Sequence, residues 1–333
     1  MRSNRSGQQW LVDSWYRRSP WLLLLSPLSL LYRVATSLRR LLYRAGLLKM
    51  HRLPVPVIVV GNLAVGGTGK TPLVAWLAEY LKQAGYRPGI VARGYGGRAG
   101  HWPQQVRPDS DPVMVGDEAV LLAARSGCPM AVGPDRVAAA RSLLEHRDCD
   151  LILSDDGLQH YALQRDIEIA VIDGVRRFGN GFYLPAGPLR EPVKRLARVD
   201  LVVVNGLGNR GEYPMTMRLN SVHELQDGEA AARDLRSFRG QSVHAVAGIG
   251  NPERFFAALR QAGLRLEEHI FPDHHLYARG DLEFGDGRPV IMTEKDAVKC
   301  RGFGMRNCWY APATIEMPRE FATRVSTLLT DAA

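Results

Sequence analysis

The chain has 333 residues, 46% of them hydrophobic and 23% charged, which is too long for one simple core and ample for a packed interior. The net charge of +9 resides in residues 1–52, which hold ten Lys/Arg and the single acid Asp13; the rest of the chain is neutral. A basic stripe spread over the folded body, as a general nucleic-acid binder would have, is therefore absent, and nucleic acid is not an expected partner.

The basic arm comes first. Trp21 to Leu31 reads WLLLLSPLSLL, and the uncharged run from Ser19 to Tyr32 is shorter than the ~18–20 residues that span a bilayer. Pro27 interrupts it, and no clean small-residue cleavage site follows, so it does not read as a secretory signal. Beyond Tyr32 the pattern is helical: Leu38, Leu41, Leu42 and Ala45 share one side, with Arg33, Arg40 and Arg44 opposite. Arg2, Arg5, Arg17, Arg18 and Arg39 add to the charge. An apolar stretch followed by a basic amphipathic helix suits a membrane surface, where each Lys/Arg near an anionic leaflet contributes about 1 kcal/mol. The plainer alternative is a helix docked on the body.

Val55 to Val60 (VPVIVV) predicts a buried parallel strand. It runs into GNLAVGGTGKT, residues 61–71, and then into an apolar helical pattern through Leu73, Trp76, Leu77, Tyr80 and Leu81. Strand, glycine-rich turn and helix make the setting of a phosphate-binding loop. Gly66, Gly67 and Gly69 let backbone N–H groups approach phosphate oxygens, with Asn62 and Thr68 in the same loop. The helix N-terminus adds its dipole, Lys70 reaches the terminal phosphates, and the Thr71 hydroxyl is a ligand for Mg²⁺. The expected ligands are therefore ATP and Mg²⁺. The general pattern G-x-x-x-x-G-K-[ST] wants glycine at position 64, where this chain has Ala64.

Further along, Asp117-Glu118 heads an apolar helix; the spacing alone favours a helix N-cap for Asp117, with a general base as the alternative. Arg136, in GPDR, also starts a helix, and its plain reading is a surface charge. LILSDDGLQH, residues 151–160, places Asp155 and Asp156 at the end of an apolar strand, where a Mg²⁺-dependent loop of this kind needs a carboxylate. Strands at Ile167–Asp173 and Leu201–Val204 bracket a long segment, 174–192, that carries Arg190 and Glu191 between prolines; long irregular segments of this kind are usually functional. The four cysteines, Cys128, Cys149, Cys300 and Cys308, show no zinc spacing and read as buried reduced thiols.

A second strand–turn–helix starts at Ser242 and passes through AGIGNP, a weak dinucleotide signal in which Asn251 and Pro252 read better as cap and first helical residue. His274 and His275 in FPDHH lack a third ligand at metal spacing and read as an acid–base group or a plain loop. TEKD, residues 293–296, reads as a capping box.

Taken in order, VVGNLAVGGTGKTP (59–72), ARGYGG (92–97), VGDEA (115–119), GPDR (133–136), LSDDGLQH (153–160), RDIEIAVID (165–173), LPAGPLREP (184–192), FPDHH (271–275) and TEKDAVK (293–299) closely resemble the tetraacyldisaccharide 4′-kinase family of lipid A biosynthesis over nearly the whole chain. Ala64 is compatible with that family's loop. The resemblance implies an α/β protein of two α/β/α domains, the first with a P-loop NTPase-like parallel sheet, joined by a short β linker and preceded by a membrane-associated helical arm. The expected boundaries are 1–52 for the arm, 53–210 for the kinase domain, 211–240 for the linker and 241–333 for a smaller C-terminal domain. It implies phosphorylation of the 4′-hydroxyl of an acylated glucosamine disaccharide 1-phosphate at the cytoplasmic face of the inner membrane, with no obligate protein partner. Within it, Asp117 resembles the catalytic base, assisted by His274 rather than His275. Lys70 and Thr71 form the loop pair. Asp155, Asp156, Gln159 and Glu191 match metal and active-site groups, and Arg136 and Arg190 match phosphate-contacting arginines. The rival reading is a P-loop ATPase acting as a nucleotide-gated binding or chaperone module.

Overall fold

The computed structural model describes residues 7–17, 19–226 and 232–332. Arg2, Arg5 and Arg18 of the basic arm, and 227–231 of the expected linker, lie outside the described residues. Two helices open the chain, α1 (Gly7–Arg17) and α2 (Ser26–Arg44), joined by a 3₁₀ turn over Pro20–Leu25. Then follow β1 (Val57–Gly61), α3 (Lys70–Gln83), β2 (Pro88–Ala92), β3 (Gln104–Val106), the single turn α4 (Pro112–Val115), α5 (Asp117–Ser126), β4 (Met130–Val132), α6 (Arg136–His146), β5 (Leu151–Asp155), β6 (Ile167–Asp173), β7 (Leu201–Asn205) and β8 (Tyr213–Leu219). The remainder comprises β9 (Ser221–Glu224), β10 (Arg233–Asp234), β11 (Ser242–Ala247), α7 (Pro252–Gln261), β12 (Arg265–Ile270), β13 (Val290–Thr293), α8 (Glu294–Cys300), β14 (Cys308–Ala311), β15 (Ala313–Glu316) and α9 (Arg319–Ala332).

The strands form a nine-stranded sheet, β15-β8-β7-β6-β1-β5-β2-β4-β3, and a six-stranded sheet, β10-β9-β14-β13-β11-β12. In the large sheet β8 through β4 run parallel, and only the edge strands β3 and β15 are antiparallel. Its central strands are buried on both faces, which is why they read as unbroken β-branched runs. Along β1, Ile58 and Val60 point into a core shared with α3, α5 and α9, whereas Val57 and Val59 face a second core closed by α6. This is the period-two alternation of a strand used on both sides.

Chain order does not follow the sheets. Grouping 241–333 in one C-terminal unit is corrected at its end: β15 pairs antiparallel with β8, and Phe321, Val325 and Leu329 of α9 bury in the large-sheet core. β8 would otherwise present an open edge, and α9 has an apolar stripe with nowhere else to go.

The arm also differs from its sequence pattern. Pro27 sits in the first turn of α2, where its missing N–H breaks no hydrogen bond, so it starts the helix instead of interrupting the apolar run. Helix and 3₁₀ turn together make a segment, Pro20–Arg44, long and apolar enough to cross a membrane by length and composition alone. Its attachment to the body is narrow. Trp15, Leu22 and Ser29 are buried; Trp15 Nε1 donates to Pro185 O at 2.9 Å, and the Ser29 hydroxyl donates to Tyr183 O at 2.6 Å. Leu24, Leu28, Leu31, Val34, Leu38 and Leu41 face outward, with Leu24 81% exposed.

Candidate active site

β1 feeds the loop 62–69, and α3 starts directly at Lys70. Gly69 caps that helix at φ 94°, and Gly66 holds φ 128°. A Cβ on Gly69 would lie 2.7 Å from Asn205 Nδ2 and 2.8 Å from Met215 Cε, so backbone and neighbours both require glycine. Nothing approaches within 4 Å of a Cβ position on Gly67. This side of the turn is open, as close approach of a phosphate demands. Ala64 has a different task. It is buried, it is not among the positive-φ positions, and it forms a bridge with Leu189. Val65 N–H donates to Pro188 O at 2.8 Å and Arg190 N–H to Leu63 O at 2.7 Å. The first half of the loop is thus stitched to the segment 184–190, and no glycine is needed at 64.

The remaining groups gather around this turn. Asn62 is fully buried; its carbonyl accepts from Gln159 Nε2 at 3.0 Å, and its Nδ2 reaches Gly66 O at 3.4 Å and the buried Thr68 hydroxyl at 3.5 Å. Gln159 Nε2 also donates to Glu191 at 3.0 Å, and Glu191 lies 3.5 Å from Arg195, which places the Gln159–Glu191 pair in the support beneath the loop. Arg190 Nη1 donates to Asp156 at 3.0 Å, and Lys70 Nζ stands 3.5 Å from the same carboxylate. Arg136, far from being a surface charge, is 6% exposed and donates to the Asp156 carbonyl at 3.1 Å. Thr71 follows Lys70 in the first turn of α3, half-buried.

The two adjacent acids have opposite electrostatics. Burial pushes Asp155 up to about 7, only partly countered by Lys70, and among the described residues its Oδ1 has no hydrogen-bond partner. Burial also raises Asp156, but the charges of Lys70 and Arg190 outweigh it and hold that carboxyl well below the usual range. Among the described residues Asp155 is therefore a buried carboxylate with no ion pair, only partly offset by Lys70, and Asp156 is one already paired.

The large sheet supplies a second cluster that the small sheet completes. Gly116, at φ 95°, is the N-cap of α5, so Asp117 is the first helical residue and not the cap that spacing alone favours. Its carboxylate is 4% exposed, accepts Glu118 N–H at 2.8 Å, and lies 2.9 and 3.1 Å from His274 Nδ1. His275 turns to Asp281 instead, at 3.1 Å. Asp156 and His274 both carry positive φ, 48° and 61°. Such conformations are uncommon for non-glycine residues and gather at functional sites. Burial raises Asp117, yet the His274 hydrogen bond and the ammonium groups of Lys295 and Lys299 outweigh it and keep the carboxyl ionised. Burial lowers His274, and the Asp117 bond more than reverses that, so its pKa ends above the ordinary histidine value.

Several contributors were not legible as site residues in the sequence. Lys295 Nζ bridges Glu118 at 2.8 Å and Asp273 at 2.9 Å and stands 3.5 Å from His274 Nε2. Lys299 Nζ stands 3.5 Å from Asp117 and 3.1 Å from Asp296. The i,i+4 spacing of these lysines on α8 was the available signal, since it puts both on one helix face. Tyr95 tilts its ring against His274, centroids 5.1 Å apart. Arg176 donates to Gly250 O at 3.2 Å, and a Cβ on Gly250 would sit 3.5 Å from Gly67 N, which brings the AGIGNP turn against the phosphate loop. The GxG pair thus marks close backbone approach between the two halves.

Residues 21–330 match the family described as tetraacyldisaccharide-1-P 4′-kinase. The chain is similar to tetraacyldisaccharide 4′-kinase of Nitrosococcus oceani, 57% identical over 323 residues, or 97% of this chain and 95% of that one. It is also similar to the protein of that name from Methylobacillus flagellatus, 51% identical over 328 residues, 98% and 97% of the two chains. Among solved structures, the "apo" form of LpxK from Aquifex aeolicus in complex with ATP superposes with a TM-score of 0.78 at 28% identity, covering 92% of this chain and 99% of that one.

Proposed function

The chain belongs to the tetraacyldisaccharide-1-phosphate 4′-kinase family and is a kinase of lipid A biosynthesis, and on that footing we propose how its own residues carry the transfer. ATP binds as substrate with its terminal phosphates against Gly66, Gly67, Thr68 and Gly69, with Lys70, 3.5 Å from Asp156, reaching them as the cation. The open backbone at Gly67 and the positive φ of Gly66 and Gly69 support this. Thr71 and Asp155 would hold Mg²⁺, because Asp155 Oδ1 is a buried carboxylate oxygen without a partner. The ion supplies charge neutralisation between the phosphates. Asp156 fixes Lys70 and Arg190, Gln159 and Glu191 brace Asn62, and Arg136 and Arg190 contribute positive charge near the transferring group.

The acceptor is the 4′-hydroxyl of the tetraacylated disaccharide 1-phosphate. Its oxygen bonds to the γ-phosphorus, the bond to the ADP oxygen breaks, and the hydroxyl proton passes to Asp117. His274 orients that carboxylate through Nδ1. The low basicity of Asp117 is adequate for a loose transition state in which the nucleophile keeps its proton until late. The observation that carries the proposal is the Asp117–His274 contact. It joins a residue on the large sheet to one beside the small sheet, so a base forms only where the two halves meet across the nucleotide loop. We read the halves as two domains that close on ATP; the segment expected as linker, 211–240, gives β8 to the large sheet and β9 and β10 to the small one, so the crossing between the halves falls at Asn220. The outward leucines of α2 and the basic arm around them support a seat on the cytoplasmic surface of the inner membrane, where the lipid acceptor resides.

The test is purified protein with γ-labelled Mg·ATP and acylated disaccharide 1-phosphate in detergent, products resolved by thin-layer chromatography. Label in the lipid, abolished by Lys70→Ala, is expected. Label in free phosphate alone would instead favour the nucleotide-gated module.

A further inference from the structure

A second cluster of ligand-grade side chains lies away from the nucleotide loop, on the outer part of the small sheet. β11 and β12 are parallel neighbours, with His244 opposite Glu267 and Val246 opposite His269. Side chains two apart on one strand share a face, so His269 lies diagonal to His244 on the side where Glu267 also projects. His244 Nδ1 and His269 Nε2 are 2.9 Å apart, and a Glu267 oxygen is 3.9 Å from His244 Nδ1. One ligand atom from each of the three falls within 4.8 Å of the others.

We propose that His244, His269 and Glu267 form a binding site for a first-row transition-metal ion, Zn²⁺ in the first instance, distinct from the Mg·ATP site. Two imidazole nitrogens and a carboxylate suit Zn²⁺, Co²⁺, Ni²⁺ or Cu²⁺ and are a poor set for Mg²⁺. Two nitrogens each about 2.0–2.1 Å from a tetrahedral zinc sit roughly 3.3 Å apart, so the imidazoles need to part by only a few tenths of an ångström. The tautomers are also prepared. His244 Nε2 is 3.1 Å from both oxygens of Asp286 and donates its proton there, which leaves Nδ1 as a bare lone pair facing His269. A ligating histidine whose other nitrogen donates to a carboxylate is the usual outer-shell arrangement of a metal site. In the metal-free protein His269 Nε2–H fills that lone pair, and on binding His269 shifts its proton to Nδ1 and turns the freed Nε2 to the ion. Phe284 fixes both rings, stacking on His244 at 4.0 Å and on His269 at 4.1 Å between centroids. His244 is 2% exposed, whereas Glu267 keeps about half its side chain in solvent, so the site has a rigid base and an accessible mouth with room for water as a fourth ligand. Arg288 pairs with Glu267, which it would share with the ion, and with Asp286, the acceptor of His244 Nε2. An ion here would clip the edge strand β12 to β11.

The experiment is calorimetric titration of the full chain, freed of metal by chelation, with ZnCl₂ in excess Mg²⁺ so that the nucleotide site is saturated. One equivalent of Zn²⁺ is expected to bind. His269→Gln should weaken it at least 100-fold, Asp286→Asn by 10–100-fold, and Asp155→Asn, in the nucleotide site, should leave it unchanged. Circular dichroism of metal-free His269→Gln checks the fold; if that variant fails to fold, Glu267→Gln, at an exposed position, takes its place with a loss of tenfold or more. Co²⁺ should give visible bands of a tetrahedral or five-coordinate ion in the wild type and lose them in His269→Gln. No saturable binding, affinity indifferent to His269 and Glu267, or loss of binding in Asp155→Asn would each overturn the assignment.

Discussion

Replacing Asp117 and His274 singly and together gives the sharpest test of the proposed chemistry. The two side chains meet at 2.9 Å, with Asp117 only 4% exposed, so their hydrogen bond is charge-assisted and shielded from water. Such bonds contribute about 1.5–3 kcal/mol, which at 1.36 kcal/mol per decade sets a loss in kcat of roughly 10- to 150-fold for His274→Ala. Asp117→Ala removes the proton acceptor itself and should lose 10²-fold or more. Since His274 acts only through Asp117, the double variant should be no slower than Asp117→Ala alone; residues that work as a unit are not additive. The assay is transfer of label from γ-³²P-ATP to the lipid acceptor at saturating substrates, with ATP affinity measured separately by calorimetry. ATP binding should change little, because neither side chain touches the phosphate loop. Two outcomes would refute the reasoning: a double variant slower by the product of the single losses, or a collapse of ATP binding in Asp117→Ala, which would make the carboxylate a structural brace for α5.

Gly69→Ala should destabilise the fold by at least about 1–3 kcal/mol from its positive φ, with a further penalty from the 2.7 Å approach to Asn205 Nδ2; urea unfolding that matches the wild type would contradict the packing described. Asp155 is pushed up to about 7, so it is half-protonated near neutrality and ionises as pH rises. Mg²⁺ requires the ionised form, and the Mg²⁺ concentration for half-maximal activity should therefore rise about tenfold per pH unit below 6 and level off above 8; a flat profile would remove Asp155 from the metal site. Leu24→Glu, Leu31→Glu and Leu38→Glu together spare the docked Trp15, Leu22 and Ser29 and should abolish co-sedimentation with anionic vesicles, since each buried leucine is worth about 1.5–3 kcal/mol. Unchanged sedimentation of that variant would place the membrane contact elsewhere.

Local features were legible in the chain alone. The strand at Val57–Gly61, the glycine-rich turn and the helix at Lys70 follow from β-branched residues, glycines and a helical apolar period within about thirty residues, and their chemistry needs nothing from farther away. Asp155 and Asp156 were visible as a pair at a strand end for the same reason. What adjacency could not show is how neighbours split their roles: Asp156 pairs with Lys70 and Arg190, while among the described residues Asp155 makes no ion pair, a difference set by segments that converge only in three dimensions.

Order along the chain therefore determined the phosphate loop, the helical arm and most strands, because backbone geometry and side-chain period act over a few residues. Tertiary structure decided the rest. It brought His274, the histidine that the family resemblance singled out, to Asp117, 157 residues away, gave Ala64 a bridge instead of a phosphate, turned Pro27 into a helix start, and returned β15 and α9 to the large sheet. Each outcome depends on which distant group arrives to fill a hydrogen bond, an open strand edge or an apolar stripe, and one-dimensional spacing does not specify those arrivals.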